Sequence, residues 1–366
     1  MYNQLSEKNK KWGSFMKRKT RITSVCFLLL CLLLAACGNA QTSSEKQGAG
    51  GEQKTGQAKE KVKIGITQLI EHPSLDASRE GFIKALKENG YGDADIEYQS
   101  AQGDQSTVAS IAQKFVADKK DAVLAISTPS AQAMVQATKN TDIPVFFTAI
   151  TDPISAKLVD NLEKPGKNIT GYSDTHPETI NKLVALIKEL KQDTKNVGII
   201  YNSGEANSVV NVENAKKALA ANGMKAVEVN VSNTTEVKQA AESLVGKADV
   251  IYVPKDNTAV AALKTVVQVA EKNKIPLFVG EMDSVRNGGF AGFGADYHDL
   301  GYQTGLMAVK VLKGEVKVGD LPVGFPKELH LGVNKEAAAN EGIDFEKSKP
   351  VIEKYNPVYF EKTEKK

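Results

Sequence analysis

Thr128 and Ser130 flank Pro129 directly behind the apolar run AVLAIS. Two hydroxyls around a proline mark a helix start, and the unpaired N–H groups of such a start suit a carboxylate or a phosphate. Comparable polar turns follow the other apolar runs. Thr67 and Gln68 follow VKIGI, and Thr151 and Asp152 follow PVFFTAI. Further along, NSGEANS brings Asn202, Ser203, Glu205, Asn207 and Ser208, KDNT brings Asp256 and Asn257, and EMD brings Glu281. No motif requires a cation beside Glu205 or Asp256, and an ammonium group would suit either acid. This mix of groups can bind a small polar solute, although each also serves ordinary turns and caps. Bond-making chemistry finds no such set. His72, His176, His298 and His330 are scattered, with no metal-ligand spacing among them. There is no G-x-S-x-G elbow and no Walker lysine loop, and GGFAGFGAD lacks the dinucleotide spacing. The reading is a binding protein with no enzyme activity, no metal and no cofactor.

The elements that must position these residues alternate from Val62 onward. VKIGIT (62–67), AVLAIS (122–127), PVFFTAI (144–150), NVGIIY (196–201), DVIYVP (249–254) and PLFVG (276–280) are short apolar runs, as expected of strands buried on both faces. Between them, ETINKLVALIKEL places Ile180, Leu183, Val184, Ile187 and Leu190 on one helical stripe, and TAVAALKTVVQVAEKN reads as a second such helix. Strand–helix alternation predicts right-handed βαβ units and parallel sheets covered by helices. The plan occurs twice: Gly65 and Gly198, Val123 and Val250, and Pro144 and Pro276 repeat at offsets of 133, 127 and 132 residues. Two similar sheets imply two lobes. Ligands of open parallel sheets meet the loops at the strands' carboxyl ends, where the polar turns lie.

The amino-terminal stretch has another character. Lys17, Arg18, Lys19 and Arg21 precede an apolar run of 15 residues, Ile22 to Ala36, which is shorter than the about 20 that span a bilayer. It fits the apolar core of a signal peptide that occupies residues 1–36, with Met16 as an internal start. The run ends at Cys37. Residues 42–61 carry no large apolar side chain and read as a flexible leash. Without the leader the chain keeps 40 of its 47 basic and 43 of its 44 acidic residues, so the overall +3 becomes −3 and gives no support to nucleic-acid binding. Cys26 and Cys31 fall in the leader, which excludes a disulfide in the body.

Leu34-Ala35-Ala36-Cys37 resembles the bacterial lipobox, in which the thiol takes a diacylglycerol and the mature chain begins at the cysteine. With it, KIGITQLIEHPSLDASREGFIKALKENGY, ISTPSAQAM, FTAITDP, GYSDTHP, YNSGEANS, YVPKDNT and GGFAGFGADYHDLGYQTGLMAVKVLKGE resemble the type I solute-binding lipoproteins of bacterial ABC transporters, in particular the tryptophan/tyrosine-uptake subgroup. The resemblance implies a two-lobed α/β fold of the periplasmic-binding-protein-like type I class, each lobe a parallel sheet flanked by helices, with three crossovers. Residues 37–61 would be anchor and linker, 62–171 plus 293–321 the first lobe, and 172–292 plus 322–366 the second. It implies an amino acid between the lobes, its carboxylate on Thr128 and Ser130 and its ammonium near Asp256. Asn207, Ser208 and Asn257 would line the second-lobe wall, and Asp296 would be a hinge or ligand residue. The implied partners are a small solute, an ABC permease with its ATPase, and the outer face of the cell membrane through the lipid. An aromatic ligand would have to stack on Tyr or Phe or sit among small apolar residues, because the only tryptophan, Trp12, precedes the signal core. The residues leave open a receptor for a sugar or nucleoside and an extracellular lipoprotein enzyme. A LacI-type sensor shares the fold but needs a DNA-binding headpiece where this chain carries its leader and leash.

Overall fold

The apolar runs become the central strands of two open sheets in the computed structural model, which describes residues 60–364. Cys37, the leader and nearly all of the leash lie outside the described residues. The first sheet holds β1 (Lys63–Gln68), β2 (Asp95–Ser100), β3 (Ala122–Ile126), β4 (Val145–Ile150) and β5 (Ile169–Ser173), all parallel in the order β2-β1-β3-β4-β5. Around it lie α1 (Pro73–Leu86), α2 (Gln105–Ala117) and α3 (Thr128–Thr138). Every residue of β3 and β4 is buried, because helices cover both faces.

The chain then enters the second body with α4 (Thr179–Leu190), β6 (Asn196–Tyr201), α5 (Ala206–Ala221), β7 (Lys225–Asn230), α6 (Val237–Ser243) and β8 (Val250–Val253). It continues through α7 (Asn257–Ala261), α8 (Leu263–Asn273), β9 (Leu277–Val279), α9 (Met282–Arg286) and β10 (Ala291–Gly294). The next helix, α10 (Tyr297–Leu312), returns to pack on α1. The tail supplies β11 (His330–Asn334), α11 (Lys335–Asn340), α12 (Phe345–Ile352) and β12 (Val358–Phe360). The second sheet has the order β12-β11-β10-β9-β8-β6-β7, parallel except where β10 meets β11. Its run β7-β6-β8-β9-β10 repeats the order of the first sheet; two of the repeated sequence pairs fall on equivalent strands, and Pro144 and Pro276 immediately precede the equivalent strands β4 and β9. The edge strands β2 and β7 mix exposed and half-buried residues, so they carry no continuous apolar run to read.

Passages between the sheets follow Ser173, Gly294 and Gly324. The third is tied back to the first sheet, since Ser173 N donates to Gly324 O at 2.9 Å and Gly324 N to Gly171 O at 2.9 Å. The segment expected as one helix in TAVAALKTVVQVAEKN is two. Ala262 leaves helical geometry (φ −108°, ψ 15°) and divides α7 from α8. The break accommodates two dockings: the first turn of α7 is held by buried carboxylates, while Val266, Val267 and Ala270 of α8 fill the core under the sheet.

Candidate functional site

At the carboxyl ends of β3 and β4 the backbone is strained. Ser127 has φ 80° and ψ 156°, and Ala149 has φ 59°. Neither is glycine, and such conformations persist only where the surroundings enforce them. The two strand ends are joined, Ser127 N donating to Thr148 O at 3.1 Å. The strained Ser127 turns the chain straight into α3, which starts without a side-chain cap. Ser127 Oγ, Thr128 Oγ1 and Ser130 Oγ are buried here without a partner, as are Thr67 Oγ1 on β1 and Thr148 Oγ1 on β4. His72 Nδ1, just before α1, and Asn207 Oδ1, in the first turn of α5, follow the carboxyl ends of β1 and β6. Together these are seven of the nine buried side-chain polar atoms without a partner among the described residues. Each such atom costs roughly 1–3 kcal/mol. Their concentration at one end of the two sheets defines the place where a polar ligand would repay that cost.

The two acids expected to face an ammonium are turned to the protein itself. Glu205 and Asp256 are 1% and 0% exposed, not solvated loop charges. Asp256 accepts from Asn202 N at 2.6 Å and caps α7 through Ala259 N at 2.7 Å. Burial, with Glu205 nearby, pushes its carboxyl up to about 7. Glu205 accepts from Thr258 N at 3.0 Å, Thr258 Oγ1 at 2.8 Å and Asn257 N at 3.2 Å, and also from the Asn257 amide and from Asn207 Nδ2. All four carboxylate oxygens therefore have protein donors. Their work is to hold Asn202, Asn207, Asn257 and Thr258 in place.

Side chains of the two bodies interlock around this region. Ser74 Oγ on α1 donates to Glu281 Oε2 at 2.6 Å. Tyr297 OH on α10 donates to Asp174 Oδ2 at 2.8 Å and lies 3.4 Å from Glu281 Oε1. Lys255 Nζ reaches across to Asp174 O at 2.9 Å, Asp174 Oδ1 at 3.0 Å and Thr175 Oγ1 at 3.3 Å. Asn211 Nδ2 donates to Thr151 Oγ1 at 3.2 Å, and His72 Nε2 meets Asn257 Oδ1 at 3.5 Å. Burial shifts the titrating members: Glu281 rises to about 7, Tyr297 rises, and His72 falls to about 4.

Several candidates are spent on local structure. Gln68 donates to Ile70 O and Asp76 and accepts from Arg79. Asp152 closes its own turn with Ile154 N and Ser155. Ser203 is exposed, and its N–H donates to Asn230. Asp296 is an exposed cap of α10, bonded to His298 N and Asp299 N. Ser208 is buried and bonds Asp256 and Asn207. The structure adds His72, Ser74, Ser127, Thr148, Asp174, Asn211, Lys255 and Tyr297, which the sequence reading missed. The sequence signal that could have found His72 is its place directly before the helix-starting Pro73. Lys255 and Asp174 lie inside quoted motifs but face a partner more than 80 residues away. Among the described residues no group of His, Cys, Asp and Glu could hold a metal ion, and no helix is long and apolar enough to cross a membrane.

Residues 63–351 match the family model described as ABC transporter substrate binding protein. The chain is 46% identical over 298 residues to a tyrosine-binding protein of Clostridioides difficile (strain R20291), covering 81% of this chain and 85% of that one. Among solved structures it is similar to an ABC domain in complex with L-Trp from Streptococcus pneumonia, at 38% identity and TM-score 0.74, covering 81% and 99% of the two chains. A ligand-free, open substrate-binding protein from Clostridium difficile is 45% identical over 83% and 100%, but its TM-score is 0.60. Sequence and shape thus rank these two structures oppositely. Side chains interlock the two bodies here, whereas the 45% identical structure is open, and a hinge rotation between two such forms lowers shape agreement without changing sequence.

Proposed function

Because the chain belongs to the ABC transporter substrate binding protein family, we propose that it is the extracytoplasmic receptor of an importer, closing on an amino acid with an aromatic side chain and delivering it to a permease and its ATPase. The family consists of substrate-binding transport proteins, not enzymes. The observation that carries the ligand reading is the cluster of unpartnered buried polar atoms at the start of α3 between closed lobes. There the N–H groups of α3 with Thr128 and Ser130 would receive the carboxylate. Thr67, Asn207 and Asn257 would line the remaining polar wall. The 46% identical tyrosine-binding relative and the similar L-Trp complex support an aromatic amino acid over a sugar or nucleoside. The ammonium then meets neutral acceptors, since Asp256 and Glu205 are already engaged.

Mass spectrometry of ligand released from natively purified protein tests this, paired with calorimetry using L-tyrosine, L-tryptophan, L-phenylalanine, xylose and adenosine. An aromatic amino acid should be recovered and should bind. Recovery of a sugar or nucleoside would remove the amino-acid reading and leave the family assignment standing. The lipid anchor belongs to the same proposal. Cys37→Ser should leave the chain unprocessed or release it from the membrane fraction, and unchanged fractionation and migration would refute the anchor.

A further inference from the structure

His72 stands at the amino end of α1, yet its ring does not serve that helix. Pro73 follows it and has no N–H, and the imidazole makes no side-chain cap bond. The ring is 4% exposed and turns toward the opposite lobe, where Nε2 meets Asn257 Oδ1 at 3.5 Å. The proton on the ring can be placed by following the bonds outward. Glu205 receives the backbone N–H groups of Asn257 and Thr258, so it acts as a carboxylate that only accepts. The side-chain amide of Asn257 must present its NH2 to Glu205. Its carbonyl oxygen is thereby the end facing His72, and Nε2 has to be the N–H that donates. In a neutral imidazole the other nitrogen is then a bare acceptor. Burial holds the ring neutral, its value lowered to about 4. Nδ1 is buried and without a partner. The same carboxylate takes the NH2 of Asn207, whose Oδ1 is also unpartnered. Glu205 thus orients an acceptor on each lobe.

We propose that His72 Nδ1 is a hydrogen-bond acceptor for the ligand, held in that tautomer across the closed cleft by Asn257 and Glu205, so that selection demands an N–H or O–H donor at this point. The assignment rests on the amino-acid reading and names the group it must offer: the ammonium, or a side-chain donor such as a phenol or an indole. Glu205 is a positioning residue in this scheme, acting through Asn257. The acceptor exists in this form only when the lobes meet, because its tautomer is set by the opposite lobe.

Two isosteric variants separate the ring's ends. His72→Gln keeps an N–H near the Nε2 position and loses the Nδ1 acceptor. His72→Asn keeps an oxygen near Nδ1 and loses the link to Asn257. Calorimetry with L-tyrosine, L-tryptophan and L-phenylalanine should show His72→Gln weakened by at least about tenfold, as for loss of one buried bond, and His72→Asn weakened less. Equal losses, the reverse order or wild-type affinity in His72→Gln would overturn the assignment. A loss for all three amino acids places the ammonium at Nδ1, and a loss spared for L-phenylalanine places the side-chain donor there. Nitrogen-15 spectra of the wild-type complex provide a readout that does not depend on the variants folding. The His72 ring should be neutral with its hydrogen on Nε2, and a hydrogen on Nδ1 would refute the proposal. A wild-type chain that binds none of the three amino acids would overturn the amino-acid reading and this assignment together. Binding with an unchanged His72→Gln would overturn the assignment alone.

Discussion

Asp256 shows how one side chain changes meaning between a loop and a core. As a loop acid it would act on an ammonium and leave stability alone. In the structure it is buried, caps α7 through Ala259 N and holds the turn after β6 through Asn202 N. Asparagine can reproduce one of these bonds and would aim an NH2 at the other N–H. Asp256→Asn should therefore cost about 2 kcal/mol in the absence of ligand, the penalty for a buried donor left unpaired. For a body of this size that is a fall of about 3 °C in Tm. Differential scanning calorimetry on the unliganded protein measures it directly. An unchanged melt with weakened binding would restore the ligand role.

At the scale of the element, the contact between α1 and α10 decides where the returning helix sits. A Cβ at Gly301 would overlap the Ser78 carbonyl oxygen, one at Gly81 the His298 carbonyl oxygen, and one at Gly305 the Ala85 side chain. The two backbones touch, and this contact carries Tyr297 and Thr304 into the core and brings Tyr297 OH to Asp174. In an isolated helix Gly→Ala is favourable by about 1 kcal/mol. Here overpacking of roughly 1–3 kcal/mol opposes it, and the added atom meets backbone that cannot rotate away. Gly301→Ala should be net destabilising in urea unfolding, whereas Gly314→Ala, a left-handed position with nothing near its Cβ, reports backbone strain alone. A stabilised Gly301→Ala protein would mean that the helices separate freely.

For the whole molecule the closed arrangement carries a proton balance. Glu281 sits between the lobes with Ser74 from α1, Tyr297 from α10, Ser284 and Asp283 from α9, and Asp174 and Lys255 nearby. One lysine faces two carboxylates in a buried place, and Lys255 is already bonded to Asp174. Burial raises Glu281 from 4.5 to about 7 in the closed form. Opening would return the group to water and to its ordinary value. A carboxyl with its pKa raised on closure takes up a proton when the lobes meet. The resulting stabilisation is complete below pH 4.5 and is lost as pH rises through about 7. His72, lowered from 6.5 to about 4 by the same burial, gives up a proton on closure below pH 6.5 and offsets this uptake there. Ligand affinity should therefore fall as pH is raised from about 6.5 to 8, with net proton uptake on binding in that window. Calorimetry in buffers of different ionisation enthalpy measures the uptake. Glu281→Gln should flatten the profile, and a variant that keeps the wild-type slope would assign the proton to another group.

The repeat, the central strands and the polar strand ends were legible in the sequence because each is a local property. A run such as VFFTAI is apolar throughout when both faces of its strand are covered, and Thr128-Pro129-Ser130 starts a helix wherever it lies. The edge strands β2 and β7 were not legible, since half-exposed strands carry no continuous apolar signal. Which polar side chains remain available for a ligand was decided only by the tertiary structure. Glu205 and Asp256 are spent on amides brought to them by neighbouring strand-end loops. Ser74 meets Glu281 across 207 residues, and His72 meets Asn257 across 185. Residue type and spacing record what a side chain can bond. The partner it does bond depends on which loops two separately wound sheets bring face to face, and that is fixed by packing between segments remote in the chain.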